Sequence, residues 1–177
     1  LYHWELPQAL EEKDGWQNSE TAAAFSRFAG MMAAHFEGRV SHFITLNEPQ
    51  IVLKLGYADG IHAPGKRLSL PELVSCWKNL MLAHGLSFRA IRNAAPEALI
   101  GIASTGKLCY PHSPADETTA RQETFRLTDS DWMFTHAIVL DAVCLGRDEP
   151  EAGALRKLLS EVTPEEWDTM HAVPDFI

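Results

Sequence analysis

The sequence predicts a parallel α/β fold, and three observations carry that prediction. Short β-branched or aromatic runs ending in turn residues alternate with long stretches of helical periodicity, the order that builds βα units. Of the 177 residues, 46% are apolar, enough for one domain with a real core. No repeat or low-complexity stretch interrupts the order.

Residues 1–4 read as the tail of a strand. Over residues 18–36, Ala22, Phe25, Phe28, Ala29, Met32 and Phe36 recur at helical spacing, with Asn18 or Ser19 available as the cap. The Met and Phe positions of the helices are expected in the core. After Gly38 the run changes to Val40-Ser41-His42-Phe43-Ile44-Thr45-Leu46, a strand over 40–47 that stops before Pro49. Ser69-Leu70-Pro71-Glu72 has capping-box spacing and opens a long helix carrying Leu73, Trp77, Leu80, Met81, His84, Phe88 and Ile91 on one face.

Residues 98–104 (ALIGIAS) form the next strand, and 110–119, rich in Pro, Ser and acids, read as a loop. Ser130 is expected to cap a helix through Trp132, Phe134, Ile138 and Val143 that Gly146 stops. Thr163-Pro164-Glu165-Glu166 opens another helix, and "VPDFI" begins a strand from 175 onward. Right-handed crossovers would set successive strands side by side, and such a sheet needs cover on both faces. The strands at 1–4, 40–47, 98–104 and 175 onward fit a small open sheet or about half of a (β/α)8 barrel, and length alone does not choose.

The net charge of −9 gives no electrostatic reason to expect nucleic acid or an anionic membrane as a partner. Cys76, Cys109 and Cys144 are odd in number and far apart, which argues against a disulfide framework or a metal knuckle and for a reducing, cytoplasmic setting. No apolar run approaches the roughly 20 residues that span a bilayer. His35, His42, His62, His84, His112, His136 and His171 show no metal-ligand spacing. Phosphate loops, nucleophile elbows and dinucleotide fingerprints are absent as well.

In parallel α/β folds functional side chains gather at the carboxyl ends of strands, where loops vary while the strand stays rigid. That rule selects His3 and Trp4, Asn47 and Glu48, and Ser104 and Thr105. An acid beside an amide, facing a histidine and an indole, suits a sugar site. Glu48 can give or take a proton, Asn47 and His3 can bond hydroxyls, and Trp4 can cover an apolar sugar face. Taken singly, each has an ordinary reading: Glu48 as a solvated loop acid, Trp4 as core, His3 as a satisfied hydrogen-bonder. Glu11-Glu12 and Glu165-Glu166 read as solvated faces.

The ordered set LYHWELPQAL, DGWQN, FITLNEP and GYADGIHAPG resembles the amino-terminal signature region of glycoside hydrolase family 1, the β-glucosidase-like retaining enzymes on a (β/α)8 barrel. The resemblance runs almost without a gap from Leu1 to Gly65 and continues more weakly through NLMLAHGLSFRAIR, IGIA and the closing DFI. It implies a partial (β/α)8 barrel, with residues 1–177 as a single segment, roughly the third to sixth strands, truncated at both ends. It also implies that Glu48 is the acid/base of retaining β-glycoside hydrolysis, with Asn47, His3 and Trp4 binding the sugar. Gly56, Tyr57, Gly60, Pro64 and Gly65 match a loop motif of structural role.

Departures are Glu5 where the family usually has Asp, Phe43 in place of Trp, Glu37-Gly38 in place of Gly-Asp, and no Asn after the 98–104 strand. They bear on acceptor preference more than on reaction type. The family's nucleophile motif, TENG-like, does not occur, so the segment alone is expected to be inactive, and its open strand edges favour self-association. The implied partner is a small β-glycoside or oligosaccharide, leaning to unphosphorylated β-glucosides, with neither metal nor organic cofactor. The alternatives are a non-catalytic α/β ligand-binding or interaction module derived from a glycosidase, and a truncated product without function.

Overall fold

In the computed structural model, which describes residues 1–148, 150 and 152–177, the long apolar runs form the two central strands. β1 (His42–Asn47) and β2 (Leu99–Ala103) pair in parallel, His42 beside Leu99, Phe43 beside Ile100 and Ile44 beside Gly101. The register slips before Asn47 meets Ala103. Single residues extend the pair on both sides: Tyr2 bridges Leu46 and Phe176 bridges Gly101, both in parallel. The four predicted strands therefore lie side by side in chain order.

The outer two are shorter than the sequence predicts. Tyr2 donates to the Thr45 carbonyl (3.0 Å) and accepts from the Asn47 amide (2.9 Å). Trp4 then takes φ +81° and turns the chain out of the ladder. At the other edge, Asp175 donates to the Ile100 carbonyl at 2.8 Å.

Helices are α1 (Gln8–Glu11), α2 (Ser19–His35), α3 (Pro49–Ile51), α4 (Leu70–Ala94), α5 (Glu117–Phe125), α6 (Ala137–Leu145), α7 (Ala154–Leu159) and α8 (Pro164–Met170), with a π-helical stretch at Val52–Ala58 continuing α3. Asn18 caps α2 by accepting from the Glu20 amide (2.9 Å), and the Ser69/Glu72 and Thr163/Glu166 capping boxes both form. The physical basis of those predictions was local, since each cap satisfies amides within its own first turn.

α4 is the spine. Leu73, Trp77, Leu80, Met81, His84 and Ile91 are buried along it, and the Trp77 indole donates to the Ile138 carbonyl at 2.7 Å, tying α4 to α6. α8 crosses α4 at Gly85, where a Cβ would stand 1.8 Å from the Thr169 carbonyl oxygen, so only glycine permits that approach. Arg89 closes the contact by donating to the Thr169 and Asp168 carbonyls (2.6 and 2.8 Å).

Several expectations are corrected. No helix starts at Ser130: Thr128 and Asp131 close a turn on each other's backbone, Trp132 enters the core from that turn, and the helix begins at Ala137. Gly146 does end it, at φ +65°. The 110–119 segment is only partly loop, because Ser113 caps a turn at Pro114–Asp116 that leads into α5. Phe28 and Phe134 are exposed (44% and 37%) although their spacing placed them with the core. Phe43, Thr45, Ile100 and Ile102 are buried beneath the helices, whereas His42, Ile44 and Leu99 are exposed, so the described residues cover one sheet face and not both.

Candidate active site

β1 climbs through buried Phe43, Thr45 and Leu46 and ends at Asn47 and Glu48, both half-buried. Tyr2 beside Leu46 brings the next residues of the first segment to the same rim. The Asn47 side-chain amide lies 3.3 Å from His3 Nε2, and the Trp4 indole donates to the Asn47 carbonyl at 2.9 Å. The rings of His3 and Trp4 meet edge to face at 5.3 Å. Of the six residues selected from the sequence, His3, Trp4 and Asn47 thus touch one another, and Glu48 directly follows Asn47.

Glu48 has φ +47° and ψ +61°, a left-handed conformation that costs a non-glycine residue about 1 kcal/mol or more. Its amide donates to the Ala103 carbonyl at 2.9 Å, so the bend is held against the end of β2. Pro49 then fixes the first turn of α3. The bend ends the strand directly after Asn47 and sets the acid and the amide at the strand terminus.

Behind the rim, Thr45 Oγ1 lies 2.7 Å from His84 Nδ1, and His84 Nε2 lies 3.0 Å from the Ala172 carbonyl. The carbonyl can only accept, so the proton of the neutral ring sits on Nε2, and Nδ1 faces the Thr45 hydroxyl, which also donates to the Gly101 carbonyl at 3.2 Å. Burial pulls the His84 pKa down to about 4, beyond what the Ala172 bond restores, and Arg89 lowers it further. A neutral imidazole therefore fastens β1 to α4 two residues below Asn47.

The matched loop motif also serves this end of the molecule. After the π-helical stretch, Ile61 and His62 both donate to the Leu55 carbonyl, and a Cβ on Gly56 would meet the Ala63 carbonyl oxygen at 2.7 Å. The returning loop lays the His62 ring 5.5 Å from that of Trp4. Tyr57 is buried and donates to Glu11 Oε2 (2.7 Å), while Lys66 pairs with Glu11 Oε1 (2.5 Å). Glu11 is thus a partner of the loop and not part of a solvated face. Glu166 likewise serves in its capping box and pairs with Lys78 at 2.6 Å.

Ser104 and Thr105, at the end of β2, are joined by Gln50 and His136, which sequence reasoning did not select. Gln50 is fully buried two residues after Glu48, and Ser104 Oγ stands 3.0 Å from His136 Nδ1. The only sequence signal for Gln50 was an amide in the first turn after Pro49. Among the described residues no group of three or more His, Cys, Asp or Glu side chains could hold a metal ion, and no helix is long and apolar enough to cross a membrane. A cleft of about 420 Å³ lined by Glu37, Arg39, Ser41 and Glu97 lies at the amino ends of the strands, the side of such folds that does not carry the chemistry.

The sequence model of glycosyl hydrolase family 1 matches residues 1–177. The chain belongs to that family. Beta-glucosidase A of Acetivibrio thermocellus is 35% identical over 158 residues, 89% of this chain and 34% of that protein. Beta-glucosidase 25 of Oryza sativa subsp. japonica is 36% identical over 184 residues, 93% of this chain and 34% of that protein. This family-1 chain therefore spans about a third of the length of these curated relatives.

Among solved structures, the family 1 β-glucosidase from Thermotoga maritima matches with a TM-score of 0.81 at 29% identity, covering 99% of this chain and 38% of that one. The virulence factor SghA from Agrobacterium tumefaciens, solved with its substrate analog salicin, matches with a TM-score of 0.82 at 29% identity over 99% of this chain and 38% of its own. The parallel strands and their helices are thus part of a family-1 (β/α)8 barrel. Of the departures from the family-1 pattern, Glu5, Glu37 and Gly38 are exposed and Phe43 is core.

Proposed function

We propose that the protein carrying this chain hydrolyses O-glycosidic bonds of unphosphorylated β-glucosides or related β-glycosides by a retaining double displacement. Glu48 protonates the departing glycosidic oxygen and later activates water, Asn47 holds the 2-hydroxyl of the sugar, and His3 and Trp4 contact its 3-hydroxyl side. The observation that carries this reading is the convergence of His3, Trp4 and Asn47 on one strand rim, beside Glu48, in a chain of this family. Named relatives are β-glucosidases, and one neighbour was solved with salicin, which supports a small glycoside as the substrate class.

Retaining hydrolysis uses two carboxyl groups about 5–5.5 Å apart. We place the second, the nucleophile, outside residues 1–177, so these residues form one barrel segment that does not turn over substrate alone. The open inner face, with Ile44 and Leu99 exposed at 40% and 42%, supports self-association of the isolated segment.

The test is Glu48→Gln in the full-length protein. Loss in kcat/KM on an alkyl β-glucoside should reach at least about a hundredfold, with far less loss on a dinitrophenyl β-glucoside, whose leaving group needs no proton. Equal loss on both would refute the acid role.

A further inference from the structure

Gln50 belongs to none of the roles above, yet its side chain reaches from the turn after Glu48 to the residues that follow β2. Its amide is fully buried, and Nε2 donates to Ser104 Oγ at 2.8 Å and to the Thr135 carbonyl at 3.2 Å. Oε1 faces the Thr105 amide at 3.5 Å. A carbonyl can only accept and an amide N–H can only donate, so these neighbours fix which way the Gln50 amide points. Ser104 accepts from Gln50, and its hydroxyl lies 3.0 Å from His136 Nδ1.

Glu48 stands in a left-handed conformation that relaxes unless both flanks are held. Its own amide is anchored on Ala103 at 2.9 Å. On the far flank the anchor is Gln50, which grips Ser104 and Thr105, the two residues that follow Ala103. The two anchors close a ring across the strand ends, with Glu48 and Pro49 as its short arc.

We propose that Gln50 is a positioning residue for Glu48, clamping the acid's backbone bend to the exit of β2 through Ser104, Thr105 and Thr135. The proposal rests on the reading of Glu48 as the acid. Releasing the clamp lets the bend relax and moves the carboxyl group away from the oxygen it protonates. Proton donation then suffers, while reactions that need no proton at departure do not.

The experiment compares wild type, Gln50→Leu, Ser104→Ala and Glu48→Gln in the full-length protein, by kcat/KM on methyl β-glucoside and on dinitrophenyl β-glucoside. Gln50→Leu should lower the methyl value by about tenfold to a hundredfold and the dinitrophenyl value by less than about threefold. A defect that only reduces the folded fraction lowers both by one factor, so the ratio of the two separates positioning from stability. Should Gln50→Leu not fold, Ser104→Ala removes a single acceptor and should shift the same ratio by about threefold. An unchanged ratio in the variants, with Glu48→Gln still selective, overturns the clamp alone. A Glu48→Gln enzyme that loses both substrates equally overturns the clamp together with the proposed function.

Discussion

Acid should weaken this fold through His84. The imidazole is fully buried between Thr45 and the Ala172 carbonyl, and desolvation holds its pKa near 4 against an ordinary 6.5. The unfolded chain binds a proton between those values that the folded chain refuses. Stability from this residue is therefore intact above pH 6.5 and falls as pH drops towards 4. The full difference of about 2.5 pH units corresponds to about 3 kcal/mol, and between pH 7.5 and pH 5 about 2 kcal/mol is lost. Against a typical stability of about 5–15 kcal/mol that is a large share.

Urea unfolding of the full-length protein at pH 7.5, 6 and 5, with wild type and His84→Gln side by side, measures it. The variant should be less stable at pH 7.5 and should lack the 2 kcal/mol decline, so the two curves converge as pH falls. Parallel curves, or the His84 imidazole resonance titrating near 6.5 in the folded protein, would refute the argument. Because Thr45 lies two residues below Asn47, the same protonation should also loosen the rim that carries the acid.

Gly85→Ala should destabilise by about 3 kcal/mol or more, since the added methyl would meet the Thr169 carbonyl at 1.8 Å and force α8 off α4; the shift in urea midpoint reports it. Tyr57→Phe should cost about 1–3 kcal/mol, because it leaves Glu11 Oε2 without its 2.7 Å donor and removes the acceptor of the Trp16 amide, and thermal melts check the value. In both variants the ratio of methyl to dinitrophenyl glucoside cleavage should stay at the wild-type value, as neither residue touches the Glu48 bend.

The candidate site was legible where its signals are local. Alternation through Phe43, Thr45 and Leu46 followed by Pro49 identifies a strand end at Asn47 and Glu48, and the observed strand closes at Asn47. Gly56, Tyr57, Gly60, Pro64 and Gly65 match a loop motif of structural role, and in the structure that loop returns closely enough for Gly56 to face the Ala63 carbonyl. Gln50 carried no such signal, because an amide after a proline reads as an ordinary first-turn residue until Ser104 and Thr135 arrive from 54 and 85 positions away. Glu11 was misread for the same reason: its partners, Tyr57 and Lys66, are supplied by a loop far along the chain.

The sequence by itself determined the alternation of strands and helices, a cap at Asn18 or Ser19, the caps at Ser69 and Thr163, the stop at Gly146 and the family, because each depends on residues within a few positions or on an ordered string of motifs. Only the tertiary structure decided that Trp132 enters the core from a turn, that Phe28 stays exposed, that His84 is buried neutral and that Gln50 grips the end of β2. Burial and hydrogen-bond partnership belong to pairs of distant residues, and periodicity along one chain says which face is apolar without saying what meets it.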